Sequence, residues 1–259
     1  MSLDDQDSAK RRQLFMNSVT FNSTALGVYV QCVSASEMRR VLKRGDESDP
    51  VFTAVRTMNA SFERCTKMKV DMESSVDAVL AEYAVDPKSD GAVFLAWDVS
   101  YDPAQKQHRS PSLVGACTVS KFVSCDSYST DAASVSARDL KTLRPYFGKH
   151  MYVDALCSTR AGVGSLLVLY ALRYTLRRRK EGLVALAFSA RANQVPESKR
   201  IFEKLGFTPI ISKANFNIRM YGTWYALRSS DIGFQTMNTG VVRACTRTVA
   251  SARTADRLI

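Results

Sequence analysis

The residues best suited to chemistry lie between His150 and Phe207. The run HMYVDALC (150–157) is followed by Ser158-Thr159-Arg160-Ala161-Gly162-Val163-Gly164-Ser165 and then by a strongly apolar segment. Two glycines between a strand end and a helix start let the backbone approach a ligand closely, while free N–H groups and the helix dipole face an anion. Such a nest suits a pyrophosphate. A dinucleotide fingerprint would need a third glycine at 167 and an acid after the next strand, where the chain has Leu167 and Ala190-Arg191. The Gly-Lys-Ser/Thr of a phosphate-binding P-loop is absent. Asp154 is the one carboxylate in the preceding strand. With His108 and His150 as the only histidines, and no Cys-x-x-Cys among six cysteines, no zinc-site spacing can be written, and so few histidines argue against a histidine-based triad. The cysteines in GVYVQCV, LVGACTV and VDALC read as reduced, small core hydrophobes.

The elements that must position these residues follow from pattern. HMYVDALC is a strand, residues 162–180 a helix ending in cations, GLVALAFSA (182–190) a buried strand, and PESKRIFEKLG (196–206) a helix with Pro near its start and Gly at its end. Strict alternation in the first strand puts Asp154 on one face with Tyr152 and Leu156. Upstream, 24–33 reads as a strand, SEMRRVLKRG as a short helix closed by Gly45, and roughly 50–84 as helical. GAVFLAWDVS (91–100) and PSLVGACTVSKFV (111–123) form a hairpin around a polar loop. A Ser-rich insertion at 124–140 precedes Pro145, and aromatic, strand-like patterning closes the domain near residue 228. The class is α/β (α+β), a mixed sheet flanked by helices.

Two stretches together resemble the GNAT superfamily of acyl-CoA N-acyltransferases. Thr159-Arg160-Ala161-Gly162-Val163-Gly164 is similar to the family's Arg/Gln-x-x-Gly-x-Gly/Ala turn, with Thr159 leading and arginine one place later. Phe202-Glu203-Lys204-Leu205-Gly206-Phe207 is similar to its second signature, a helix ending aromatic-Glu-Lys-Leu-Gly-Phe. The resemblance is clearest over 150–210 and compatible over 24–228. It implies a central sheet splayed at its fourth and fifth strands and direct acyl transfer, from acetyl-CoA by expectation, to an amine. It places Leu156, Cys157, Ser158, Thr159, Arg160, Ala161, Gly162, Val163, Gly164 and Ser165 along the CoA, with Arg160 on a phosphate. Asn193 would touch pantetheine and Phe202 would lie beside the thioester.

The chemistry needs a base for the amine and a proton for the departing thiolate. Asp154 or Tyr152 is the candidate base. A tyrosine common in the family as thiolate acid is replaced by Phe202, leaving Ser198, one turn earlier, as substitute. Tyr221 or Tyr225 would line an acceptor pocket.

Charge and length bound the remainder. The chain has 259 residues, with 36 Lys+Arg against 25 Asp+Glu and a formal charge of +11. The domain expectation is a tail at 1–20, the acyltransferase-like domain at 21–230, and a basic tail at 231–259. In that last tail Arg243, Arg247, Arg253 and Arg257 fall within about 120° on a helical wheel. It could meet an acidic protein or nucleic acid. No apolar run reaches the ~20 residues of a membrane helix, and no secretory leader is written, so an intracellular, cytoplasmic setting or a large assembly such as a virion is expected. Two other functions stay open. One is a catalytically degenerate relative serving as a structural or binding component of such an assembly. The other is a nucleic-acid binder acting through charge, although its basic residues stand in separate sequence clusters.

Overall fold

A computed structural model of the chain describes residues 26–44, 91–99, 101–102, 107–108, 112–123, 136–189, 197–217 and 220–228. The segment read as helical at 50–84, most of the Ser-rich insertion, Asn193 and both tails lie outside these residues.

Strand β1 (Val28–Ser34) leads into α1 (Ala35–Arg44), whose first turn is held by Ser34 Oγ accepting from Glu37 N at 3.3 Å. β2 (Ala92–Asp98) and β5 (Ser112–Lys121) pair antiparallel, and the connection between them carries the two-residue strands β3 (Tyr101–Asp102) and β4 (Gln107–His108). α2 (Ala137–Leu143) begins inside the stretch read as insertion, because Ser136 caps it by accepting from Asp139 N at 3.1 Å. A 3-10 turn carrying Pro145 then delivers the chain to β6 (His150–Ser158). α3 (Val163–Arg177), β7 (Gly182–Ser189), α4 (Glu197–Lys204), β8 (Thr208–Asn217) and β9 (Met220–Arg228) complete the order.

The main sheet has seven strands in the order β1-β2-β5-β6-β7-β9-β8. Its one parallel pair is β6 with β7, a geometry that requires a crossover, and α3 is that crossover. The fold class is therefore the expected mixed α/β arrangement, with the parallel pair formed by the fourth and fifth strands of this sheet in chain order.

Two apolar layers sandwich the sheet. On one face Val163, Leu166, Leu167 and Leu169 of α3, with Phe202 of α4 and Leu205 just after it, pack on Phe94, Cys117, Val119, Met151, Val153 and Tyr225. α3 is buried all round over its first two turns, as its continuous apolar run requires. The opposite face is aromatic. Phe122 stacks on Tyr152 at 5.7 Å, Trp224 lies 5.7 Å from both rings, and Leu143 and Tyr146 close the cluster.

Candidate functional site

The site begins where β6 and β7 part. They are paired from His150↔Gly182 to Val153↔Ala185 and no further. Beyond that point β6 stays with β5 as far as Ser158↔Gly115, while β7 stays with β9 as far as Ser189↔Tyr221. The two strands thus open a wedge, and their facing edges carry backbone groups not bonded to each other.

Asp154 is the first β6 residue inside the wedge, and it sits in a β-bulge. Val119 opposes Val153 and Thr118 opposes Ala155, leaving Asp154 as the extra residue. A bulge bends its strand and re-aims side chains. Ser120 Oγ donates to Asp154 Oδ1 at 2.9 Å, which holds the half-buried carboxylate on β5. The same bulge corrects the face expected from alternation. Tyr152 belongs to the aromatic cluster, whereas Leu156 packs with Met151 and Val153 on the α3 side. Asp154, Tyr152 and Leu156 are not on one face. Beneath the bulge the Cys117 thiol is raised far above its ordinary range, first by burial and then by the Asp154 charge.

The turn from β6 to α3 is anchored at its root. Thr159 donates to Val114 O twice, through its N–H at 2.9 Å and its hydroxyl at 3.3 Å. Arg160 Nη1 lies 3.3 Å from Asp98 Oδ1, so its guanidinium is tied to the end of β2. Thr159 and Ala161 are exposed and Ser158 is half-buried. Gly162 is the N-cap of α3 at φ +83°, a left-handed conformation that favours glycine, and no side chain caps the helix. Val163 N donates to Arg160 O at 3.3 Å and Leu166 N to Gly162 O at 3.1 Å. An uncapped N-terminus leaves first-turn N–H groups and the positive end of the dipole available to an anion. At Gly164 a Cβ would stand 2.9 Å from Ile201 Cδ1 and 3.1 Å from Ser158 Oγ, so its absence lets α4 and the strand end close on this helix start. Ser165 is buried behind it.

The remaining expected residues divide. Ser198 is half-buried in the first turn of α4, one turn before Phe202. Phe202 is fully in the core, its ring 5.2 Å from Phe207 and 5.9 Å from Tyr225. Cys157 is buried and disulfide-bonded, which corrects its reading as a reduced thiol; Cys32 and Cys117 are free. Beside it a shallow hollow is lined by Leu113, Val114, Gly115, Ala116, Cys157 and Thr159. Tyr225 is buried in the core, 1% exposed. Its hydroxyl donates to Glu203 Oε1 at 3.2 Å, and burial, followed by the Glu203 charge and hydrogen bond, pushes it up to about 12.

Sequence reasoning missed Ser120, Asp98 and Gly115 as parts of this site. The polar Thr118 and Ser120 alternating with apolar Cys117 and Val119 were the one local signal of a polar sheet face. Asp98 lies 62 positions from Arg160 and carries no local signal at all. Among the described residues no cluster of three or more His, Cys, Asp or Glu side chains is arranged to hold a metal, and no helix is long and apolar enough to cross a membrane.

No family model matches the sequence, and no curated protein matches it. Among solved structures the backbone is similar to a chain from Desulfovibrio desulfuricans assigned to the GNAT family of acetyltransferases, at 11% identity and TM-score 0.42, covering 78% of this chain and 99% of that one. It is also similar to the spermidine/spermine N-acetyltransferase SpeG of Vibrio cholerae, at 11% identity and TM-score 0.42, covering 79% and 95%. A third is yncA of Salmonella typhimurium, assigned as an acetyltransferase and solved with acetyl-CoA, at 14% identity and TM-score 0.41, covering 78% and 94%.

Proposed function

We propose that the chain is an acyl-CoA-dependent N-acyltransferase, using acetyl-CoA and a primary amine. The observation that carries the reading is the wedge between β6 and β7 with the glycine turn at its mouth. An extended, amide-bearing arm such as pantetheine is matched to two strands that have parted from each other, because it can bond between them as a short strand does. The uncapped start of α3 fits the pyrophosphate, with the N–H groups of Gly162 and Gly164 nearest and that of Val163 already donated to Arg160 O. In this reading Arg160 would have to share its guanidinium between Asp98 and a phosphate, or leave Asp98 altogether. Asp154, held by Ser120, is the base for the amine, and Ser198 is the candidate donor to the thiolate. Tyr152 is less suited to the base role because its ring is packed in the aromatic cluster.

A second reading is favoured by Phe202, which is buried and carries no proton to give. It is a chain that binds CoA without turnover and serves as a component of an assembly.

Calorimetric titration with acetyl-CoA separates these readings. Gly162→Asn and Gly162→Asp add the same Cβ at the same positive φ and differ only in charge. We expect acetyl-CoA to bind the Asn variant and to bind the Asp variant at least about tenfold more weakly, as a like charge facing a phosphate requires. CoA release in the presence of primary amines then supports the transferase. Binding without release supports the second reading, and no binding to any form rejects both.

A further inference from the structure

The sequence holds its cations in separate clusters, and the fold gathers several of them at one end. β1 and β5 end there, and β2, β6 and β7 start there: Ser34 opposes Ala92, Lys121 opposes Met151, His150 opposes Gly182, and Gly182 opposes Arg228. α3 runs back along the sheet, so its last turn arrives at the same end, where Tyr174 Oη donates to Gly91 O at 3.3 Å. The N-terminus of α1 is fixed to the same carbonyl by Ala35 N at 3.0 Å. Arg177 and Arg178 from α3 and Glu37 from α1 all bear electrostatically on Cys32.

Arg40, Lys121, Lys149, Arg177, Arg178 and Arg228 are all exposed at this pole. Two of the six are offset by acids, Arg40 by Glu37 at 3.9 Å and Lys149 by Glu181 at 3.8 Å, so the named groups keep an excess of positive charge. Two of the guanidinium groups are laid over tyrosine rings, Arg178 over Tyr174 at 5.1 Å and Arg228 over Tyr146 at 5.9 Å. A guanidinium laid over a ring is held in place by that contact, and its planar fork is of the shape that matches phosphate oxygens. Among the described residues the large exposed apolar side chain near this pole is Val123, too little for a helix or loop to seat in lipid. The nucleotide-type turn lies at the other end of β6, nine residues long, so the two regions are about 25 Å apart.

We propose that this pole is a docking surface for the phosphodiester backbone of nucleic acid, separate from the acyl-CoA wedge. Binding there would be sequence-independent and governed by counterion release.

The test is fluorescence anisotropy of the full chain with a labelled single-stranded RNA, and a DNA of the same length, of about 20 nucleotides. The pole variant is Arg177→Gln with Lys121→Gln, and the control with equal charge loss is Arg200→Gln with Lys204→Gln on α4. Arg177→Gln and Lys121→Gln measured singly serve in its place should the pair lower the melting temperature. We expect affinity to fall about tenfold or more in the pole variant and by less than about twofold in the control. The slope of log affinity against log salt should shrink by about 1.4 with two phosphate contacts removed. Acetyl-CoA titration should be unchanged in both. Equal losses in pole and control variants would reduce the effect to overall charge and overturn the proposal. So would absence of salt-dependent binding, displacement by polyglutamate as effective as by RNA, or pole-dependent capture by phosphatidylserine vesicles without RNA binding. The last two outcomes would assign the surface to an acidic protein or to a membrane instead.

Discussion

Asp154 illustrates how a single residue acquires its setting from a local irregularity. Without the bulge it would be one more side chain of a regular strand; with it, the carboxylate stands just beyond the last β6–β7 pair and accepts from Ser120 at 2.9 Å. Asn at 154 retains the size and an acceptor oxygen but cannot take a proton from an ammonium. If Asp154 is the base, Asp154→Asn lowers the rate of CoA release to an amine by about 10²–10⁴ while acetyl-CoA affinity stays within about threefold, since general-base contributions are of that size. A carboxylate with a structural role alone would give the opposite split, a lower melting temperature and an unchanged rate. Tyr225 is the counterexample at the same scale. It lies in the core at 1% exposure with its hydroxyl on Glu203, and burial first, then Glu203, raises its ionisation to about 12. Tyr225→Phe should therefore cost about 0.5–1.5 kcal/mol in a denaturant titration and leave acyl transfer untouched, as removal of one neutral-donor hydrogen bond does.

Between elements, the approach of α3 to the sheet depends on what is missing at Gly115. A Cβ there would stand 2.9 Å from Val163 Cγ1, 3.0 Å from Leu167 Cδ1 and 3.0 Å from the Cys157 carbonyl oxygen. The helix start, and with it the Gly162 turn, is thus seated on a glycine of the neighbouring strand. Gly115→Ala should destabilise by about 1–3 kcal/mol by overpacking and weaken acetyl-CoA more than Gly148→Ala, whose Cβ meets nothing within 4 Å and whose cost is instead the strain of alanine at φ +72°. The sequence could not have revealed this contact, which joins positions 115, 157, 163 and 167 through tertiary packing. What it did carry was local: the apolar run of α3, the Pro and Gly bracketing α4, the two strands around the polar loop, and the glycine turn itself. Those signals are set by propensity and period within one element. The bulge at Asp154, the tie from Arg160 to Asp98 and the disulfide at Cys157 are set by register and long-range proximity, and alternation counted along β6 alone put Leu156 on the wrong face.

Over the whole molecule, the sheet separates two poles: a wedge with an uncapped helix start at one end, and a cationic rim at the other. His150 is buried beneath that rim. It is 2% exposed, its ring stands edge-on to Tyr146 at 4.9 Å, and neither ring nitrogen has a hydrogen-bond partner among the described residues. Burial holds its pKa below the ordinary 6.5; Glu181 pulls the other way, while Arg228 and Lys149 add to the depression. Lys180, donating to Gly148 O at 3.1 Å, adds a further positive charge to this end of the sheet. In the unfolded chain the imidazole binds its proton at the ordinary value, whereas in the folded protein it binds only at lower pH. Stability is therefore complete above about pH 6.5 and is lost as pH falls from there toward the depressed folded value. The slope from this one group is at most about 1.4 kcal/mol per pH unit. Urea titrations between neutral pH and pH 5 should show that loss in the native chain and a flatter profile in His150→Phe, which fills the site beside Tyr146 without a titrating group. If both chains lose stability in parallel over this range, the acid sensitivity belongs to the carboxylates and not to His150. A polyanion on the rim would oppose the loss by raising the imidazole's affinity for its proton, so bound RNA should move the acid transition of the native chain to lower pH and leave that of His150→Phe less affected.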